Sequence, residues 1–211
     1  MTSTPASAFL VLVASLAIVP PARSDWPPSG LGVCTEAHHQ FAPVPAPDGA
    51  GGAFIAWRDG REPPGIYVQR VTSSGDIAAG WPADGRFLWR PHLGLLGPWV
   101  TADGSGGLYL AWWGGFAVFA QRITAAGEIA PGWPEGAMFL ATAGTGSGWG
   151  GERALVVPDG AGGAIVAWSD PGIQNIGVQR ITAGGALPAG WSPGGVTVSP
   201  TPIGYATMAL A

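Results

Sequence analysis

Thirteen acidic residues, nine arginines, three histidines and one cysteine are the side chains of this 211-residue sequence that could carry acid–base, metal or nucleophilic chemistry. Lysine is absent, which removes a P-loop cation, a Schiff base and a lysine general base. Asp59 and Glu62 are close enough in sequence to serve as the acid and base of a glycoside hydrolase, but ordinary surface charge explains them equally well. His38 and His39 are adjacent and would point to opposite faces of a strand, and His92 lies far along the chain, so the histidines lack metal-binding spacing. A single cysteine, Cys34, forms neither an intramolecular disulfide nor a cysteine-rich zinc site. The glycine-rich run at 144–150, GTGSGWG, superficially suggests a nucleotide loop; no lysine follows it and no helix opens there, so it reads as a connection. A net charge of -4 argues against a track for nucleic-acid phosphates. These residues form no catalytic constellation, and no cofactor or metal is expected.

The elements that would position any such group follow from a repeat. The chain holds 36 Gly and 21 Pro, over a quarter of its length, which excludes a mostly helical protein; 47% of it is apolar, which excludes a disordered one. Asp48, Asp103 and Asp159 each open an Asp-Gly-x-Gly-Gly segment, and Trp57, Trp112 and Trp168 follow nine positions later. Downstream come Gln-Arg pairs at Arg70, Arg122 and Arg180, each followed eleven positions on by the tryptophan of a Gly-Trp pair, Trp81, Trp133 and Trp191. The repeat length is 55 and then 56 residues. Four short strands are predicted in each repeat: first strands at 40–46, 99–102 and 154–157, second at 53–57, 108–113 and 164–168, third at 66–71, 117–123 and 176–181, fourth at 86–89, 137–140 and 196–199. The Asp-Gly pairs supply the positive φ of tight hairpins. The second strand is apolar on consecutive residues, so both of its faces must be covered.

The order Asp-Gly-x-Gly-Gly, Ala-Trp, Gln-Arg, Gly-Trp resembles the repeats of secreted bacterial β-propeller-type proteins, over about residues 40–199. It departs from better-defined propeller families in having no Trp-Asp signature and no Asp-x-Asp-x-Asp-Gly calcium loop. The resemblance implies an all-β fold: an incomplete β-propeller of three four-stranded antiparallel blades, at about 40–98, 99–152 and 153–205, plus the first strand of a fourth at 206–211. Ahead of it, residues 1–24 read as a signal peptide. Their apolar run at 8–19 is shorter than the roughly 20 residues a bilayer needs, and Ala22-Arg23-Ser24 offers a cleavage site. Residues 25–39 read as an N-terminal linker. Leu31-Gly32-Val33-Cys34 is a poor lipidation box, because Val33 is too large. The expected location is secreted or periplasmic, with no membrane attachment after cleavage.

The parts that recur are most simply structural: Asp48, Asp103 and Asp159 as turn formers, and the three arginines packed on tryptophan or paired with a turn Asp. Length varies elsewhere. From the second-strand Trp to the third-strand Gln is 12, 9 and 11 positions, and from the Gly-Trp tryptophan to the next Asp is 22 and 26. The loops responsible lie at one end of an up-and-down sheet, which makes that end the candidate binding face. Its residues include Arg58, Asp59, Arg90 and His92 from the first repeat, Trp113 and Trp149 from the second, and Asp170, Asn175 and Tyr205 from the third. Exposed aromatics beside carboxylates and amides suit an extracellular protein or a glycan. The expected function is a noncatalytic secreted binding module. Its alternatives are a fragment of a carbohydrate-active propeller enzyme, hydrolase or lyase, or a purely structural repeat, and terminal blades with open apolar faces imply self-association.

Overall fold

The computed structural model describes residues 26, 29–90, 94–142, 153–170 and 175–198. The predicted signal peptide, the fourth-repeat strand at 206–211, the 144–150 run, and His92, Trp149 and Tyr205 lie outside them. Among the described residues no helix is long and apolar enough to cross a membrane.

The fold is all-β, with three antiparallel four-stranded sheets. The first holds β1 (Gln40–Pro47), β2 (Ala53–Asp59), β3 (Gly65–Val71) and β4 (Arg86–Trp89) in sequence order. The second holds β5 (Leu95–Ala102), β6 (Leu108–Gly114), β7 (Ala117–Ile123) and β8 (Met138–Thr142). The third holds β9 (Ala154–Pro158), β10 (Ala164–Asp170), β11 (Asn175–Ile181) and β12 (Val196–Thr197). First strands neighbour one another, β1 beside β5 and β5 beside β9.

The double-sided burial expected of the second strand is clearest in β6, whose first six residues are all buried. Strand pleating sends alternate side chains to opposite faces. Leu108, Leu110 and Trp112 therefore join Phe54, Ala56, Ile66, Val68 and Trp81 of the first repeat in one core. Tyr109, Ala111 and Trp113 join Val156, Val166, Trp168 and Ile181 of the third repeat in another. The second sheet is thus packed between the other two, and an alternation with no polar phase is what that position requires.

Two departures from the predicted strands have local causes. β5 begins at Leu95, four residues early, because a bulge between Leu96 and Trp99 carries the ladder across Gly97-Pro98; Leu95 pairs with Gly114, and pairing resumes at Trp99 with Ala111. A matching bulge interrupts β1 between Phe41 and Val44. The Asp-Gly turns are also wider than a two-residue hairpin. Each is a five-residue turn in which the Asp amide donates to the carbonyl of the last glycine, at 3.1, 3.0 and 3.0 Å for Asp48, Asp103 and Asp159.

Candidate functional site

The two ends of the sheets differ in chemistry. At the Asp-Gly end every repeat builds the same cluster. Asp103 Oδ1 accepts the Ser105 and Gly107 amides at 2.7 Å, and its Oδ2 accepts Arg122 Nε at 2.9 Å and Nη2 at 2.7 Å. Asp48 with Arg70, and Asp159 with Arg180, repeat the pattern. The arginine also reaches the next sheet: Arg70 Nη1 donates to the Ala125 carbonyl at 3.1 Å, and Arg122 Nη1 to that of Ala183 at 2.9 Å. The indoles of Trp81 and Trp133 donate to the same two carbonyls. Pairing of arginine with the turn Asp is as expected; the ring beneath it is Phe54 for Arg70 and Tyr109 for Arg122 rather than a tryptophan. Buried Gln69, Gln121 and Gln179 donate to the carbonyls of Pro82, Pro134 and Ser192, fixing the approach of each fourth strand.

Burial alone would raise the Asp48, Asp103 and Asp159 carboxyls, but the backbone amides and arginines outweigh it and hold all three below the usual carboxylate range. A carboxyl with a lowered native pKa stabilises the fold above its unfolded pKa, about 3.9, and loses that contribution as pH falls through the native value. Thermal melts are therefore expected to be flat from about pH 5 to 7 and to fall below about pH 4. Asp103→Asn should show a shallower acid slope than the parent chain.

The opposite end holds the predicted binding residues. Arg58 on β2 lies over the Phe41 ring at 5.6 Å and donates through Nη1 to the Leu95 carbonyl at 2.5 Å, tying the first two sheets together. Asp59 is not available as an exposed carboxylate: it is 3% exposed, because β2 runs two residues past Trp57. It accepts Trp57 Nε1 at 2.8 Å and the Arg61 amide at 2.9 Å, and pairs with the Arg61 guanidinium at 2.8 Å. Trp113 is not an exposed platform either; it is 3% exposed and belongs to the core shared with the third sheet. Arg90 is exposed and paired with the still more exposed Glu62. Asp170 and Asn175 are the backbone partners that close the β10–β11 ladder. Asp59 and Glu62 are therefore engaged by different arginines, Arg61 and Arg90.

What does crowd this end in exposed form is apolar: Phe41 at 47%, Leu96 at 40% and Phe116 at 54% exposure. Phe41 pairs with Arg58 and Leu96 with Trp113 in their ladders, and Phe116 tips the β6–β7 turn. Their signal in the sequence is weak, since single apolar residues among glycines do not mark a face.

Two other sequence signals have structural destinations. Cys34 lies 3.4 Å from Arg61 Nη2, and burial pushes its thiol up, so it is protonated rather than a nucleophilic thiolate at neutral pH. A Gly-x-Ser-x-Gly spacing occurs at Gly190, Ser192 and Gly194. A nucleophile elbow joins a strand to a helix. Here the segment is the turn before β12, equivalent to the turns at Pro82 and Pro134, and the Ser192 carbonyl serves Gln179. Among the described residues no group of three or more His, Cys, Asp or Glu is placed to hold a metal ion. No family model, curated protein or solved structure matches the chain.

Proposed function

We propose that this chain is a secreted or periplasmic β-propeller-type module that binds protein or glycan, without catalysis, at the end where its loops vary. The observation carrying this reading is that Phe41, Leu96 and Phe116 are exposed at that end, while the opposite end is committed in every repeat to the same Asp, Arg and turn contacts. The exposed Phe41 ring under the Arg58 guanidinium suits the apolar face of a sugar or an aromatic side chain of a partner. The propeller arrangement is supported by the neighbouring first strands and by the second sheet's cover on both faces.

Glycan arrays and pull-downs from extracellular fractions test the proposal with paired variants. Replacing Phe41, Leu96 and Phe116 together by alanine is expected to weaken binding at least tenfold. Replacing Phe87 and Phe139, equally exposed but on the fourth strands, should leave it unchanged. Equal losses in both variants, or no loss in the first, would remove the proposed face.

A further inference from the structure

Trp26 lies outside all twelve strands, yet its contacts repeat those of a tryptophan inside the repeats. Its Nε1 donates to the Ser73 carbonyl at 3.1 Å, as Trp81 does to Ala125 at 3.2 Å and Trp133 to Ala183 at 3.0 Å. Ser73, Ala125 and Ala183 hold the same position in Thr-x-x-Gly turns, at residues 72–75, 124–127 and 182–185. A Cβ placed on Gly75 would meet the Trp26 ring at 3.2 Å, and one on Gly127 would meet Trp81 at 2.8 Å. Four residues after Trp26 stands Gly30 with φ 80°, matching Gly85 after Trp81 and Gly195 after Trp191, at 83° and 78°. Eight residues after Trp26 stands Cys34, in contact with Asp59; eight after Trp81 stands Trp89, packed on Gly114. Asp59 and Gly114 are each two residues past the second-strand tryptophan. Two separate contacts therefore place Trp26 and Cys34 on the first sheet where the end of one repeat lies on the next.

The far side of the third sheet is the complement. Arg180 is held by Asp159 through Nε and Nη2, both at 2.8 Å, in the pose that lets Arg70 and Arg122 reach forward, and Trp191 stands where Trp81 and Trp133 stand. Among the described residues neither donor meets a turn carbonyl, and the Arg180 side chain is 36% exposed against 16% for Arg122. The acceptor that fits is a turn of the kind at 124–127 and 182–185, and among the described residues the third turn of that kind, Thr72-Ser73-Ser74-Gly75, carries an indole and no arginine.

We propose that Trp26 and residues 29–34 cap the first sheet in place of a neighbouring repeat, and that the third sheet binds the first sheet of a second copy of this chain when that cap lifts. The occupant is a second copy because the interface it would form already exists twice within the chain, with the same donors and the same turn. The cap is the weaker partner: it brings one indole donor, from a side chain 42% exposed, where a repeat brings an indole and a guanidinium locked by its Asp. The contact is head to tail, so growth proceeds beyond a dimer into a ring or a filament. It uses none of Phe41, Leu96 and Phe116, and stands or falls separately from binding there.

Sedimentation velocity over a concentration series on the purified chain tests it. Trp26→Ala is expected to bring association on at about tenfold lower concentration, the equivalent of one good hydrogen bond and its packing. Adding Arg180→Lys and Trp191→Phe, which keep the charge on Asp159 and the ring but remove the forward donors, should return it to the parent value. Trp26→Phe keeps the ring on Gly75 and is the milder variant should Trp26→Ala unfold the first sheet; it should shift association in the same direction by about threefold. Absence of any shift in the Trp26 variants, or a shift that survives the Arg180 and Trp191 changes, would overturn the proposal.

Discussion

Replacing Asp103 by alanine is expected to destabilise the protein by about 3–5 kcal/mol, read as a fall in the denaturant midpoint. One carboxylate here receives four donors: the Ser105 and Gly107 amides on Oδ1, and Nε and Nη2 of Arg122 on Oδ2. Its removal leaves two turn amides unpaired and a largely buried guanidinium without its counter-charge, and the charge left behind costs more than the contact itself was worth. The damage extends beyond the turn, because Arg122 is also the donor that reaches Ala183 in the third sheet. Asp159→Ala removes the same kind of group, but Arg180 is more than twice as exposed as Arg122, so water replaces much of what is lost. A loss of roughly 2 kcal/mol is expected there. Equal effects at the two positions would mean that the turn amides alone carry the stabilisation.

Gly107→Ala is expected to cost about 3 kcal/mol, whereas Gly104→Ala, three residues away in the same turn, should cost about 1 kcal/mol. Gly104 has φ 75° and open space around it, with nothing within 4 Å of where an alanine methyl would stand, so its penalty is that of a left-handed backbone alone. Gly107 has an ordinary backbone, but a Cβ there would stand 2.3 Å from the Ile123 carbonyl and 2.7 Å from the Asp103 carboxylate. Neither neighbour can rotate away, since one is the β7 ladder and the other is held by Arg122. Gly52 and Gly163 meet the carbonyls of Val71 and Ile181 in the same way, which is why the motif closes on glycine in all three repeats. Thermal unfolding of the two alanine variants separates the effects; a Gly104 variant as unstable as the Gly107 one would show that strain, not close approach, dominates the turn.

Strands and turns are readable because the Asp, Trp, Gln and Arg positions recur at fixed spacing, and a period of 55 or 56 residues fixes four short elements at a time. The destination of individual residues near strand ends is less so. Asp59 looks like a loop carboxylate because it precedes Gly60 and Arg61, yet two further ladder pairs carry it into the sheet and onto Trp57. Trp113 follows a tryptophan that faces the first sheet, so pleating turns it toward the third, a burial legible only once both flanking sheets are known. Gly97-Pro98 reads as a break, and a bulge carries β5 through it. The tie made by Trp26 has a faint signal, since Trp26 and Gly30 keep the four-residue spacing of Trp81 and Gly85, but it falls in a stretch that reads as a linker because no Asp-Gly motif precedes it. The signal of the exposed trio of Phe41, Leu96 and Phe116 is as weak, because which apolar residues stay outside depends on how the sheets stack.

Native-state hydrogen exchange on an Arg70→Lys, Trp81→Phe double variant asks most directly whether each repeat is clamped to the next through one turn carbonyl. Both donors to the Ala125 carbonyl are removed while the Arg70 charge and the Trp81 ring remain. Faster exchange is expected in the β7 strand and the 124–127 turn of the second sheet as well as in the first sheet, with the third sheet unchanged. Acceleration confined to the first sheet would contradict the clamp.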